Sequence, residues 1–293
     1  MRNLPRSLAI ALAALTGLAL LVPSPAVTAS EGDVLGLQFP AWLIRASDRR
    51  ALTLNTQLVA GDEIQTGSRG RVVLRLNDGS TVKLGSLAVF QLARPPGKLN
   101  RLLRVLRGAF RYTTAKVRRG TQPSPNIQVA NYTIGIRGTD LWGKAANDKD
   151  IVCLLDGHIS IDHGAERPTE LTEPNTFFVA PKGEPPLPVQ PVDEAKLRGW
   201  AAQTELQENA GRVQSEGQWR VMLASFRDMD GAERIQSHYA RAGYASQIEN
   251  VDIDGTNWFR LFIDGAASRA DAASLLTQVR EDLQPKSAWI SRR

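Results

Sequence analysis

Between residues 34 and 180 the apolar positions fall in short alternating runs separated by turn residues. Residues 71–76 read RVVLRL, Asn77-Asp78-Gly79-Ser80 follows, and TVKLGS begins at Thr81. Asp-Gly between two alternating runs predicts a hairpin, because glycine takes positive φ at little cost. The same pattern recurs at 151–155, Asp156-Gly157 and 158–162, which predicts a second hairpin. Strand-like runs also occupy 41–44, 109–114, 127–129 and 176–180, and no long segment has a helical period. Many short strands at this spacing predict an all-β domain, a sandwich or barrel-like fold.

The pattern then breaks. Residues 181–192 read PKGEPPLPVQPV, a run that favours extended polyproline II and predicts a linker. Residues 193–213 have helix-forming composition, with Leu197, Trp200, Ala201 and Thr204 at helical spacing. They form either a short helix docked on one domain or part of the spacer.

From Gln218 a strand–helix–strand pattern is written twice. WRVMLASF (219–226) alternates. A capping-box-like Asp230-Gly231-Ala232-Glu233 opens a helical face of Ile235, Tyr239 and Ala242, which Gly243 stops. A strand at 247–253, the turn Asp254-Gly255 and a strand at 257–263 follow. Ala272, Leu275, Leu276, Val279 and Leu283 then mark an amphipathic helix that begins near Ser268 and ends at Pro285, before a short apolar run at 288–290. The order β-α-β-β-α-β predicts a ferredoxin-like α+β domain, with both helices on one face of a four-stranded antiparallel sheet. Turning Val221, Leu223, Phe259, Leu261, Ile263, Ala288 and Ile290 toward the helices leaves Arg220, Met222, Trp258, Arg260, Phe262 and Trp289 on the open face. An uncovered patch of this kind marks an interaction site.

The first 29 residues stand outside the fold. Arg2 and Arg6 precede an apolar run from Leu8 to Val22, and Val27-Thr28-Ala29 suits cleavage, so a signal peptide is predicted. The expected organisation is thus a signal peptide at 1–29, an all-β domain at 30–180, a Pro-rich linker with a possible helix at 181–216, and the α+β domain at 217–293. After cleavage no membrane span is expected, and in a Gram-negative envelope the location would be periplasmic. The formal charge of +6 includes Arg2 and Arg6. A basic stripe contains Arg94, Lys98, Arg101, Arg104, Arg107, Arg111, Lys116, Arg118 and Arg119 without an acidic residue. It is either a solvated sheet face or a polyanion site, and export argues against nucleic acid.

Two blocks of the β region, GDEIQTGSRGRVVLRLNDGSTVKLG (61–85) and YTIGIRGTDLWGK (132–144) followed by LLDGHISI (154–161), resemble the FecR domain of periplasmic sensors. In that family the unit relays a signal from an outer-membrane receptor to a cytoplasmic sigma factor. The relay also needs a membrane segment and a cytoplasmic tail, neither of which is expected here, so sigma-factor regulation is not carried over. Within IGIRGTD, Gly135 and Gly138 suit a bulge or close backbone approach, and Arg137 would pair with Asp140 or with backbone carbonyls. WRVMLASF, GAERIQSHYARAGY, NWFRLFIDG and SRADAASLL resemble a SPOR domain, a family that binds peptidoglycan glycan strands. Its usual first-strand motif is roughly VQVGSF. Here Met222 stands for the glutamine and Ala224 for the glycine, while Arg260 matches the family's third-strand arginine. The resemblance implies a glycan site at Arg220, Met222, Trp258, Arg260, Phe262 and Trp289. Aromatic rings suit the C–H faces of sugars, and guanidinium groups suit their oxygens.

Other chemistry is not indicated. The sequence has no nucleophile elbow, P-loop, dinucleotide fingerprint or HExxH. One cysteine, Cys153, excludes an intrachain disulfide, and His158, His163 and His238 lack ligand spacing. No catalytic residue, cofactor or metal is expected. The expected function is a non-catalytic exported protein that holds glycan strands with its C-terminal domain, its FecR-like domain engaging another envelope component. The alternative is a periplasmic signalling or scaffold protein in which both domains contact protein partners.

Overall fold

The computed structural model describes residues 29–93, 102–115, 125–164 and 167–293. The signal peptide expected at 1–29 lies almost wholly outside them, as do Arg94, Lys98, Arg101, Lys116, Arg118 and Arg119 of the basic stripe. Most of the chain is β, with a few helices, in two parts. The first part contains β1 (Ser30–Gln38), β2 (Ala41–Arg45), β3 (Asp48–Ala51), β4 (Gln57–Val59), β5 (Glu63–Thr66), β6 (Arg71–Leu76), β7 (Thr81–Leu84) and β8 (Val89–Ala93). It continues through β9 (Leu102–Thr113), β10 (Asn126–Val129), β11 (Tyr132–Ala145), β12 (Lys149–Asp162), β13 (Thr169–Leu171), β14 (Thr176–Pro181) and β15 (Leu187–Pro191). After α1 (Glu194–Thr204) and β16 (Arg212–Gln214) comes the second part: β17 (Trp219–Phe226), α2 (Met229–Arg241), β18 (Gln247–Ile253), β19 (Thr256–Ala266), α3 (Arg269–Leu283) and β20 (Trp289–Arg292).

The predicted hairpin at Asp78-Gly79 forms: β6 pairs antiparallel with β7, and Gly79 has φ +82°. The second Asp-Gly does not turn the chain. β12 runs through Asp156 and Gly157 as one strand, paired first with β14 and then with β13. Its neighbour β11 follows it on both sides of this point, with Leu141 opposite Leu154 and Ile136 opposite Ile159. Gly157 (φ +91°) is therefore a shared bend, where a Cβ would lie 2.2 Å from the Gly138 carbonyl oxygen. β9 bends likewise at Gly108 (φ +90°): its first half pairs with β8 and β10, its second with β7 and β11. Long bent strands shared between two pairings close this part around a core that includes Leu43, Ile64, Leu74, Phe90, Phe110 and Leu154.

Residues 181–216 form an ordered strap. β15 pairs with β14, and all five of its residues are exposed. Proline is tolerated on such an edge because its missing N–H faces away from the ladder. Asp193 caps α1 by accepting the Lys196 N–H at 2.8 Å. The helix docks through Trp200, stacked on Trp142 with centroids 4.7 Å apart and planes 3° apart, and edge-on to Phe177 at 5.5 Å. Lys83 and Arg111 then hold Glu205 at 2.5 and 3.2 Å. β16 pairs with β1 and touches β19 at Val213–Ala266.

In the second part the strands lie in the order β20–β17–β19–β18, antiparallel throughout. Ala272, Leu275, Leu276 and Val279 of α3 are buried, as their spacing predicts, and Ser268 caps the helix. The cap of α2 is Asp228, accepting the Gly231 N–H at 2.7 Å, so this helix begins before the sequence signal at Asp230. Buried residues of both parts belong to one continuous cluster, joined where Phe39 meets Tyr244 at 5.5 Å.

Candidate functional site

The pleat of β19 turns Leu261 and Ile263 into the core and Trp258, Arg260 and Phe262 the other way. Register aligns one row across the sheet, Trp289–Met222–Phe262–Gln247, and a second, Ser225–Arg260–Glu249. An irregularity between Met222 and Ala224 shifts β17, so Ser225 rather than Ala224 stands opposite Arg260. The rows hold Met222, Arg260, Phe262 and Trp289 of the six residues expected on this face, with Arg220 opposite Ser291 and Trp258 opposite Val251, and the six lie at different depths. Met222 and Phe262 are its floor, only 4% and 2% exposed, whereas Trp289 is 44% exposed. Trp258 and Arg260 are partly exposed.

Arg220 closes the floor. Its guanidinium lies 4.4 Å from the Phe262 ring centroid, Nε donates to Asp264 Oδ1 at 3.3 Å, and a terminal nitrogen donates to Glu249 Oε2 at 3.2 Å. Arg293 donates to the other Asp264 oxygen at 2.6 Å. Arg227 lies 3.9 Å from the Trp258 centroid. Sequence reading missed Gln247, Glu249, Asp264 and Arg227. The first two could have been counted from the Asp254-Gly255 turn, which sets Gln247 opposite Phe262 and Glu249 opposite Arg260. Trp289, Trp258 and Arg260 are thus the accessible residues beside a buried apolar floor, and the two acids are already engaged by arginines.

Family models match two segments: residues 215–292 match the SPOR domain, and residues 62–160 match the FecR protein family. The chain joins a FecR domain to a SPOR domain. SPOR domains bind peptidoglycan, FecR domains act in envelope signalling, and both are binding or signalling families. Two crystal structures of a candidate anti-sigma factor from Parabacteroides distasonis ATCC 8503 superpose with a TM-score of 0.41, at 13% and 14% identity. Each alignment covers 67% of this chain and 96% of the other. Similarity at that level bears on neither fold nor function here. No curated protein matches.

The SPOR domain is clamped to the FecR domain. Arg69 pairs with Asp282 at 2.6 Å, and the Tyr244 hydroxyl reaches the same carboxylate oxygen at 2.5 Å. Burial pushes the Asp282 carboxyl up, but the hydrogen bonds from Tyr244 and Arg69 outweigh it and leave the pKa below the usual carboxylate value. The Trp42 indole donates to the Arg241 carbonyl at 3.1 Å, and the Ala41 N–H donates to the Gly243 carbonyl at 3.1 Å.

Several other residues singled out in the sequence have structural partners. Arg137 is exposed and does not hold Asp140, which is taken by Arg111 at 2.7 and 2.9 Å. This pairing makes Arg111 of the basic stripe structural, while Arg104 bonds Gln128 and Arg107 bonds the Leu87 carbonyl. Cys153 is buried and its thiol is pushed up to about 12 by desolvation, which makes it unreactive. His158 pairs with Glu170 at 2.7 Å, and among the described residues no cluster of three or more metal-ligating side chains occurs. Among them, too, no helix is long and apolar enough to cross a membrane.

Proposed function

We propose that this is an exported, non-catalytic protein that binds peptidoglycan glycan strands through the bare face of the sheet in residues 217–293, while the FecR half, within 30–180, engages another envelope component. The observation that carries the reading is the accessibility of Trp258, Arg260 and Trp289 on one side of the sheet within the segment that matches the SPOR family. The strand order β20–β17–β19–β18, with two helices packed against the sheet, supports the ferredoxin-like reading of this domain. A sugar ring lies across the Trp289 indole, Trp258 with Arg227 over its ring borders the site, and Arg260 donates to hydroxyl or carboxylate oxygens. The test is co-sedimentation of residues 30–293 with amidase-treated sacculi. Recovery no greater than that of a folded Trp258→Ala/Arg260→Ala variant rejects it. Zymography on the same preparation is expected to give no clearing band.

The second reading is that both domains contact proteins. Its support is the sealed floor, where Arg220, Glu249 and Asp264 satisfy one another instead of waiting for a sugar. Cellular localisation that survives loss of the wall amidases would favour it.

A further inference from the structure

A cavity of about 560 Å³ opens on the FecR half, away from the glycan-face residues. One wall is the strap, with Leu187, Pro188 and Gln190 of β15 and Lys196, Trp200 and Gln203 of α1; the rest comes from the β11–β12 turn region and β14. The volume lies in the range of ordinary ligand sites, about 300–1,000 Å³. Three lysines, Lys144, Lys149 and Lys196, face it against a single acid, Asp148. Lys149 approaches Asp148 at 3.5 Å. Lys144 donates to the Gln203 amide oxygen at 3.1 Å, and Lys196 sits 4.6 Å from the Phe177 centroid and 5.4 Å from that of Trp200. Among the described residues these last two ammonium groups have no carboxylate partner. They are held instead by an amide and by aromatic faces, an arrangement that keeps cations fixed beside an apolar wall.

The rings decide what kind of anion fits. One face of Trp200 lies on Trp142, and Lys196 lies over both Trp200 and Phe177. No bare ring remains on which a sugar could stack. What is left is an aliphatic surface of Ile151, Val179 and Leu187 with ammonium groups along it. Pro188 and Pro191 also break the free edge of β15 as a hydrogen-bonding template. Recognition therefore runs through side chains.

We propose that this cavity docks a short acidic peptide segment of a partner protein, with its carboxylates on Lys144 and Lys196 and its apolar side chains on Ile151, Val179 and Leu187. This gives a chemical class to the envelope component in the proposed function and rests on that half of it alone. The cleft exists only because the strap is folded down, so the segment between the two domains would build the site.

The probe is a fluorescein-labelled Leu-Glu-Leu-Glu amide, titrated by anisotropy into residues 30–293, with Leu-Gln-Leu-Gln amide as its uncharged twin. The acidic peptide is expected to bind, to weaken several-fold as salt rises from about 50 to 500 mM, and to lose about tenfold on Lys144→Gln/Lys196→Gln at unchanged Tm. Equal binding of the twin, or wild-type affinity in a folded double variant, overturns the proposal. Displacement by polygalacturonate at lower charge concentration than by unlabelled acidic peptide also overturns it, in favour of a general polyanion surface. A Lys149→Gln variant guards against misfolding of the double variant and is expected to lose less, because Lys149 already faces Asp148. Sacculus co-sedimentation is measured on the same wild-type preparation. Sacculus binding without peptide binding removes only this inference, and peptide binding without sacculus binding removes only the glycan reading.

Discussion

Replacing Trp289 with alanine tests the glycan face without disturbing the fold. A tryptophan side chain presents about 250 Å² when fully accessible, so its 44% exposure leaves roughly 100 Å² of mostly apolar surface. A sugar lying on one ring face would cover about half of that. At ~25 cal/mol per Å² the contact is worth about 1.3 kcal/mol, close to a tenfold change in Kd. The stability cost is small, because Trp289 sits on edge strand β20 and the row it caps is closed from above by Arg220. A surface change of this kind costs on the order of 0.5 kcal/mol. The assay is a sedimentation isotherm of residues 30–293 on amidase-treated sacculi, with Tm measured on the same samples. A Kd within twofold of wild type at unchanged Tm refutes the assignment. A fall in Tm of many degrees refutes the argument that Trp289 stands clear of the core.

Three other outcomes follow from the same geometry. Met222→Gln places an amide at a site only 4% exposed, beside Phe262 in the floor, so it is expected to destabilise by about 1–3 kcal/mol in urea unfolding without raising sacculus affinity; tighter binding at unchanged stability would contradict this. Trp200→Ala removes the ring that joins Trp142 and Phe177 and is expected to cost about 3–5 kcal/mol and to open the strap to protease, read as new cleavage between residues 181 and 211. For Asp282 the folded pKa is depressed, so its contribution is complete above the unfolded carboxylate value of about 3.9 and is lost as pH falls through the lower folded value. The Tm gap between wild type and Asp282→Asn should accordingly be widest above about pH 5 and close below it; a gap that widens in acid would sink the clamp.

Local signals in the sequence held where the partner of a segment is its own neighbour. Asp78-Gly79 makes a hairpin because β6 and β7 pair with each other, and the i, i+3, i+4 spacing of Ala272, Leu275, Leu276 and Val279 buries one face of α3. They failed where a distant partner decides. Asp156-Gly157 carries the same turn signature, but β11 runs alongside on both sides, so the chain bends instead of reversing. The proline run reads as a tether because nothing local shows that Trp200 will find Trp142. For the glycan face, alternation assigned the side of each residue but not its depth. Met222 and Phe262 face away from the helices yet are buried, Phe262 beneath a salt-bridged arginine that is placed by Asp264 and Glu249 on other strands.

The clamp between the domains limits how the SPOR half can be studied. Gly243, which ends α2 at φ +85°, is also the seat of Trp42: a Cβ there would come within 2.6 Å of the indole. Tyr244 is fully buried and spans the junction, touching Phe39 with its ring and Asp282 with its hydroxyl. Gln38 at the end of β1 donates to the Ala210 carbonyl and accepts from the Gln207 N–H, while buried Asp271 in α3 accepts from the N–H groups of Ala210 and Arg212. The same residues thus finish each fold and join the two. Cutting the chain near residue 217 would uncover Phe39 and Leu37 on one side and Tyr244 on the other, and would leave Asp271 without the backbone it holds. A truncated SPOR half can lose sacculus binding through instability alone. Only point variants on the solvent side of the sheet, Trp289 first, separate a lost contact from a lost fold.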